Sequence, residues 1–261
     1  NNTAVGTDAL LSNTTGAYNT AVGANALDAN TTASNNTAIG YAAATNLTTG
    51  TKNTALGQSA LEGCVDGTNN VAIGYETGTA DWGDANVAVG YRALKVNTAS
   101  TNVAVGKEAM LSNTTGTNNV AVGGQALDAN TTASYNSAVG YNALTANTTG
   151  ANNTALGYSA LSSNTTANNN TAIGYNALLS NSTGLDNVAV GQDTLKNNTT
   201  HSNTAVGRYA MRANTTGTES VAVGKGALSA NTTGNYNTAV GYNALDANTT
   251  ASDNLSIGYN T

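Results

Sequence analysis

Apolar and polar residues follow one short pattern that recurs from one end of this chain to the other. An apolar block such as Ala-Val-Gly precedes a second one, Ala-Leu, and then a polar Asn-Thr-Thr stretch. Of the 15 intervals between the glycines that close the first block, twelve are 17 residues long and three are 16. Because a fixed short period is the mark of stacked repeats, we expect about 16 coils. The closing glycines are Gly6, Gly23, Gly40, Gly57, Gly74, Gly90, Gly106, Gly123, Gly140, Gly157, Gly174, Gly191, Gly207, Gly224, Gly241 and Gly258.

Each position of the repeat keeps its residue type. Val, Ile or Leu always precedes the closing glycine, and Ala precedes that residue in 15 of 16 copies. Asn stands four residues before the glycine in 15 of 16 copies. Leu or Met stands four residues after it in 13 of 15, the exceptions being Ala44 and Gly78. A recurring residue type indicates that the same structural role recurs in every coil.

The three blocks of the repeat predict three kinds of backbone. The Asn-Thr-Ala-Val-Gly block favours a short strand, because β-branched residues alternate with Ala. The next block, for example residues 141–144, fits a second short strand or one helical turn, and we favour the strand since an isolated turn of helix is marginal. Asn, Thr and Gly in the remainder are typical of turns. The fold class predicted is therefore all-β, a parallel β-solenoid of 16–17-residue coils.

Stacking such coils places each residue above its equivalent in the next coil. The column formed by Asn119, Asn136, Asn153, Asn170 and Asn187 is then expected to form an amide ladder, each side chain bonding the next. Strand alternation directs the Val/Ile/Leu residue before the glycine outward, and the Leu of the second block has the same prediction. Two exposed apolar stripes would favour self-association, for which we expect a homotrimer. In the alternative, Val and Leu fill the interior and the chain is a monomer.

Composition limits the range of functions. Phe and Pro are absent, one Trp is present, and only 8% of residues are charged, with a net charge of −6. Small apolar residues suit a narrow repetitive core, and we expect one repetitive domain over residues 1–261, irregular at about residues 61–101. No basic run favours nucleic acid, and no apolar run is long enough for a membrane span. The chain begins and ends inside a repeat, so we expect it to be part of a longer protein.

The strand block resembles the head repeats of YadA-type trimeric autotransporter adhesins. The matching stretches are Asn70-Val71-Ala72-Ile73-Gly74 and Asn119-Val120-Ala121-Val122-Gly123. This resemblance covers essentially the whole chain, although the repeat is longer here and no neck, stalk or anchor is present. It implies a left-handed parallel β-roll, a trimer and a place on a cell surface. Similar repeats in phage tail-fibre-like proteins make a virion fibre equally admissible.

The Asn-Thr-Thr turns contain the Asn-x-Ser/Thr acceptor sequence for glycosylation. In a secretory pathway that adds sugars they would be candidate sites; otherwise Asn and Thr serve to satisfy the turn backbone. The candidate asparagines are Asn13, Asn30, Asn113, Asn130, Asn147, Asn164, Asn214, Asn231 and Asn248.

Aromatic residues are the other candidates for a contact with a ligand. Tyr follows the closing glycine in eight copies, and Tyr141, Tyr158 and Tyr175 do so in three successive ones. Such a row is expected to bind sugar or another surface, or to stack on itself and stiffen the roll. Trp82 lies in the irregular copies, among several acidic residues, where we expect a bulging loop and a surface contact. A calcium site there is a second hypothesis, although the spacing matches no EF-hand loop.

Catalytic and cofactor sites are not predicted. Cys64 and His201 are each unique and about eight coils apart, so they cannot form a nucleophile pair, and no metal cluster or phosphate-binding loop is present. We expect no enzyme, no cofactor and no metal. The expected function is a structural or adhesive fibre segment outside the cell or on a virion, binding itself and a host-surface protein or glycan. An end-to-end filament subunit and a sugar-binding or ice-binding module are the alternatives.

Overall fold

The computed structural model describes all 261 residues, and it contains strands and turns but no helix. The chain divides into two compact units, Asn1–Ala133 and Ser134–Thr261, which carry the same repeat. Each unit is a parallel β-solenoid in which every coil contributes one three-residue strand. Unit 1 holds β1 (Thr3–Val5), β2 (Thr20–Val22), β3 (Thr37–Ile39), β4 (Thr54–Leu56), β5 (Val71–Ile73), β6 (Val87–Val89), β7 (Val103–Val105) and β8 (Val120–Val122). Unit 2 holds β9 (Ser137–Val139), β10 (Thr154–Leu156), β11 (Thr171–Ile173), β12 (Val188–Val190), β13 (Thr204–Val206), β14 (Val221–Val223), β15 (Thr238–Val240) and β16 (Leu255–Ile257).

Within each unit every strand pairs in parallel with its sequence neighbours, with equivalent residues opposite one another. Ala155 of β10, for example, lies beside Ala138 on one side and Ala172 on the other. The central Ala of the strand points inward and is fully buried in almost every coil, whereas its two neighbours face outward. The predicted all-β, parallel, in-register solenoid is therefore confirmed.

The second block of the repeat is not a strand, so that prediction is wrong. It is a turn in which the second and fourth residues after the glycine have left-handed backbone, as at Asn25 (φ 60°) and Leu27 (φ 51°). The N–H groups of these two residues point in opposite directions along the stack. Asn25 N–H donates to Thr7 of the preceding coil at 2.9 Å, and Leu27 N–H donates to Ala43 of the following coil at 3.1 Å. These bonds and the burial of the Leu side chain offset the cost of left-handed backbone at a residue that carries a Cβ.

The closing glycine is required by both conformation and space. All 16 have φ between 131° and 146°, a region nearly closed to residues with a Cβ. A Cβ placed on Gly157 would lie 2.5 Å from the carbonyl oxygen of Gly174 in the next coil. Because the backbones of successive coils meet at this corner, any side chain would force them apart.

The core of most coils consists of two Ala side chains and one Leu or Met. Leu144, Leu161 and Leu178 are fully buried, so the expectation that the Leu column points outward is wrong. The Val column, which comprises the residues directly before the closing glycines, does face outward. Leu156, for example, is 46% exposed and Val223 is 38% exposed. The two apolar columns are therefore separated, one inside the roll and one outside.

The asparagines four residues before the closing glycines, here called the strand Asn column, link the coils through the backbone. Asn136 Oδ1 accepts the backbone N–H of Asn153 at 2.9 Å. Asn153 Nδ2 in turn donates to the carbonyl of Ala167 at 2.8 Å. The predicted bond between side chains forms at Asn187, whose Nδ2 donates to Asn170 Oδ1 at 3.2 Å, but the bonds along the column run mainly to the backbone, because each Asn accepts from and donates to the backbone of the following coil.

Candidate functional surfaces

The asparagines seven residues after the closing glycines, here called the turn Asn column, form the amide ladder that was expected elsewhere. Asn214 Nδ2 donates to Asn198 Oδ1 at 2.7 Å, and Asn231 Nδ2 donates to Asn214 Oδ1 at 3.0 Å. Each also donates to a carbonyl three residues on, as Asn214 does to Gly217 at 2.9 Å. Asn214 and Asn231 thus use both amide protons inside the roll, whereas the ladder is interrupted at Asn164 and Asn181, whose Oδ1 atoms accept no hydrogen bond.

This column contains all nine candidate glycosylation sites. Asn30, Asn113, Asn130, Asn147, Asn164, Asn214 and Asn231 are fully buried, and only Asn13 and Asn248 are partly exposed. Because the amide nitrogen that would carry a sugar is a buried hydrogen-bond donor, the folded coil has no room for a glycan at the seven buried positions. The structure favours the alternative in which the Asn-Thr-Thr sequence satisfies the turn backbone.

The first Thr of the turn forms a second ladder outside the amide ladder. Thr215 Oγ1 donates to the carbonyl of Thr232 at 3.0 Å, and Thr232 Oγ1 donates to that of Thr249 at 2.9 Å. Both hydroxyl and amide therefore bond along the stack, which gives the Asn-Thr pair a structural reason to recur.

The Tyr column, which follows the closing glycines, is exposed and stacks on itself. Tyr141 and Tyr158 have ring centroids 5.7 Å apart, and Tyr158 and Tyr175 have centroids 5.4 Å apart, with the planes within 20° of parallel. Each of the three side chains is about half exposed. Since both faces of the Tyr158 ring are covered by its neighbours, its edge and hydroxyl face solvent, and a sugar cannot stack on the ring.

Trp82 is buried, which corrects its assignment as a surface contact. Its side chain is 1% exposed, and Nε1 donates to the carbonyl of Leu94 in the next coil at 3.1 Å. The one indole ring of the irregular copies therefore lies in the core.

Three of the acidic residues around Trp82 have partners within the protein. Asp81 accepts the backbone N–H of Val65 at 2.8 Å, and Asp84 accepts that of Thr68 at 2.7 Å. Glu76 is paired with Lys95 and Arg92 through one carboxylate oxygen, at 2.6 and 2.9 Å. No three acidic, His or Cys side chains converge as metal ligands would, and neither unit contains a pocket.

The two unique residues lie in different surroundings. Cys64 is buried, and burial raises the pKa of its thiol to about 12. His201 is exposed in a turn of unit 2. Cys64 occupies the turn Asn column of its coil, so its side chain fills an interior position.

One charged surface of the folded protein was not predicted from the sequence. Four of the eight Lys and Arg residues fall between positions 196 and 225, and they sit on three successive coils of unit 2. The sequence pattern that indicates this surface is the placement of cations one and five residues after successive closing glycines. The fold brings these positions together. We call this the cationic surface, and it comprises Lys196, Arg208, Arg212 and Lys225.

Comparison with known proteins adds no relative: no family model, no curated protein and no solved structure matches this chain. The structure also contains no helix with the length and apolar character of a membrane span.

Proposed function

We propose that this chain is a segment of a structural and adhesive surface fibre that lies outside the cell or on a virion, and not an enzyme. The observation that carries the proposal is which side chains lie inside the coils and which lie outside. The core Ala and Leu residues and two Asn columns fill most coils, while the Val and Tyr columns are repeated on the outside. A scaffold of this kind presents identical groups at short regular intervals, which favours multivalent attachment.

The partner that we propose first is another copy of the chain. The Val column is a line of partly exposed aliphatic side chains, among them Val206 (37%) and Val223 (38%), and covering it would remove apolar surface from water. Closed rotational symmetry lets every copy cover its own stripe with that of its neighbour. We therefore propose a homotrimer, and a left-handed winding of each roll.

Sedimentation equilibrium tests this assembly. The expected mass is that of three chains of 25.9 kDa, and a mass of one chain would overturn the proposed trimer. Ser at Val206 and Val223 together is expected to shift the equilibrium toward monomer. The matched control is Val65→Ser, because Val65 is 40% exposed but lies in a turn outside the Val column.

Adhesion is tested separately with beads coated by the purified chain. Retention on layers of bacterial or animal cells is expected to exceed that of albumin-coated beads, and equal retention on every layer would overturn the adhesive role. Negative-stain images of the same sample distinguish bounded particles, which the proposal expects, from filaments of indefinite length, which would instead indicate end-to-end assembly.

A further inference from the structure

The cationic surface stands out because the protein is otherwise acidic and sparsely charged. The chain carries 14 acidic against eight basic residues, yet four of the basic ones are gathered on three neighbouring coils. At physiological ionic strength charges are screened beyond about 8 Å, so a partner at this surface responds to the local cations and not to the net charge.

The carboxylate within the cationic surface is already satisfied. Asp193 accepts from Lys196 at 3.3 Å, from Gln192 at 3.2 Å and from Asn176 at 3.3 Å, and its side chain is nearly buried. No ion pair joins Arg208, Arg212 or Lys225 to an acidic residue. The surface therefore keeps three exposed cations without a counter-charge.

The two guanidinium groups are held beside one aromatic ring. Arg208 Cζ lies 4.4 Å and Arg212 Cζ lies 5.1 Å from the ring centroid of Tyr209, and Arg208 Nη2 donates to the Tyr209 hydroxyl at 2.6 Å. Cation–π contacts reduce the freedom of these long side chains, so less entropy is lost when they bind. Lys225 lies in the same way against Tyr242, 5.2 Å from its centroid.

A comparison inside the same chain shows what is distinctive here. Arg92 and Lys95 also lie close together, in one coil, but both are bonded to Glu76 of the preceding coil. That cluster has two cations and one carboxylate, a net charge of +1, whereas the cationic surface has four cations and one carboxylate, a net charge of +3. Each cluster has one carboxylate, so the difference between them is the number of cations that this carboxylate leaves unpaired.

We infer that the cationic surface binds an acidic polysaccharide, through paired contacts between its guanidinium groups and carboxylate or sulfate groups. Arg suits this role because its planar fork matches such groups with two parallel hydrogen bonds. The inference deepens the proposed adhesive function by naming a ligand class, and it rests on that function for the multivalency that would strengthen three weak contacts.

Other anionic partners fit the surface less well. Single-stranded nucleic acid uses aromatic faces on which bases stack, but the Tyr209 ring is flanked by guanidinium groups and the Tyr242 ring contacts Tyr259 and Lys225. A membrane surface calls for apolar side chains that insert beside the cations. The residues one, two and five positions after the three closing glycines are polar or Gly, apart from Tyr209 itself, and the nearby Val206 and Val223 belong to the Val column, for which the proposed partner is another copy of the chain.

The test measures retention of the full chain on immobilised polygalacturonate, with neutral dextran as the blank. We expect retention at low salt that falls as salt rises, and an affinity about tenfold weaker for the double variant R208Q/R212Q, equivalent to about 1.4 kcal/mol. The matched control R92Q/K95Q removes the same two charges elsewhere and is expected to change affinity less than twofold. Equal losses in both variants, or no retention of the natural chain, would overturn the inference.

Two further measurements separate the alternatives. Tighter binding to phosphatidylserine vesicles or to single-stranded DNA than to polygalacturonate, at equal ionic strength, would overturn the assignment to polysaccharide. Sedimentation of the same samples separates this inference from the proposed assembly. Lost retention with an unchanged trimer mass contradicts only the polysaccharide site, and retained binding by a monomer contradicts only the trimer.

Discussion

The indole ring of Trp82 occupies the space that a side chain at Gly78 would fill. A Cβ placed on Gly78 would lie 2.5 Å from Cε2 and Cζ2 of Trp82. Gly78 stands where all other coils but that of Ala44 have a core Leu or Met, and Trp82 comes four residues later in the same coil. A large residue from the turn has therefore replaced the missing core side chain.

This relationship predicts compensation between the two positions. Trp82→Ala is expected to lower the free energy of unfolding by about 3–5 kcal/mol, because it leaves a cavity that Gly78 cannot fill. Gly78→Leu alone is expected to destabilise by collision with the indole ring. The double variant restores the usual core composition, and its loss should be clearly smaller than the sum of the single losses. A double-mutant cycle from urea unfolding measures the coupling, and additive losses would show that the two side chains do not share one space.

The turn Asn column predicts a pH-dependent penalty for a carboxylate. Asn214 is fully buried and donates two hydrogen bonds, so Asn214→Asp removes both donors and buries a charge. We expect a loss of about 3 kcal/mol or more at pH 7. Burial raises the pKa of such a carboxyl, so the penalty should shrink as the pH falls and the group becomes neutral.

The control for that substitution is Asn197→Asp, because Asn197 is exposed. Its effect is expected to stay within about 0.5 kcal/mol at either pH. Urea midpoints followed by circular dichroism at pH 7 and pH 3 provide the comparison. A penalty at position 214 that is the same at both pH values would count against the buried ladder.

The closing glycines predict a strong position effect. Gly157→Ala is expected to destabilise by about 2–4 kcal/mol, because φ is 138° and the new Cβ would meet the Gly174 carbonyl. Gly226→Asn is the control, since Gly226 has φ 72° and the equivalent Asn243 has φ 50°. That change should cost at most about 1 kcal/mol. Similar losses at both sites in urea unfolding would contradict the requirement for glycine at the corner.

The repeat itself made much of this fold predictable from sequence. Equal spacing of the closing glycines implies that like residues stack, and the alternation in Thr-Ala-Val implies which side chains face inward. The first follows from the period over many coils and the second from the backbone of one strand, so both predictions apply to every coil that keeps the pattern.

The turn block could not be predicted in the same way. No feature of the composition predicts a Leu with left-handed backbone. Hydrogen bonds to the two adjacent coils hold the turn block in this conformation, and these bonds exist only after the coils have stacked. The ladder was assigned to the wrong Asn column for the same reason, since Asn recurs in most copies of both columns, in 15 of 16 and in 12 of 15. Leu47 illustrates the consequence: it occupies the turn Asn column, offers no donor, and leaves Asn30 Oδ1 buried without a partner.

The irregular copies did carry a usable signal. Each of the two exceptions in the core Leu column, Ala44 and Gly78, is followed within four residues by a buried large apolar residue, Leu47 or Trp82. If the missing Leu at Gly78 is considered together with the nearby Trp82, the sequence predicts that Trp82 lies in the core. If Trp82 is considered alone, as an aromatic residue in a polar turn, the prediction is a surface position.

Cys64 is predicted to be unreactive in the folded protein. Burial, the main cause, raises its pKa to about 12, so the thiolate is nearly absent at pH 8. Reaction with a thiol reagent at pH 8 is expected to be slow in buffer and fast in concentrated urea. Because the thiol of the unfolded chain ionises near its usual pKa of 9.0, stability should also fall as the pH rises from about 9 toward 12. Equal rates with and without urea would show that the thiol is accessible.

Glu76 is predicted to stabilise the irregular copies in an acid-sensitive way. The hydrogen bond from Lys95, followed by those from Tyr75 and Arg92, lowers the pKa of the Glu76 carboxyl to about 2 from its usual 4.5. A group whose pKa is lower in the folded state contributes fully above about pH 4.5, and this contribution is lost as the pH falls toward 2. Glu76→Gln is therefore expected to lower the urea midpoint at pH 6 and to have little effect at pH 2. Glu219→Gln is the control, because Glu219 is exposed and in no ion pair. Midpoint curves that remain parallel from pH 6 to pH 2 for the natural chain and Glu76→Gln would mean that the two ion pairs add nothing to stability.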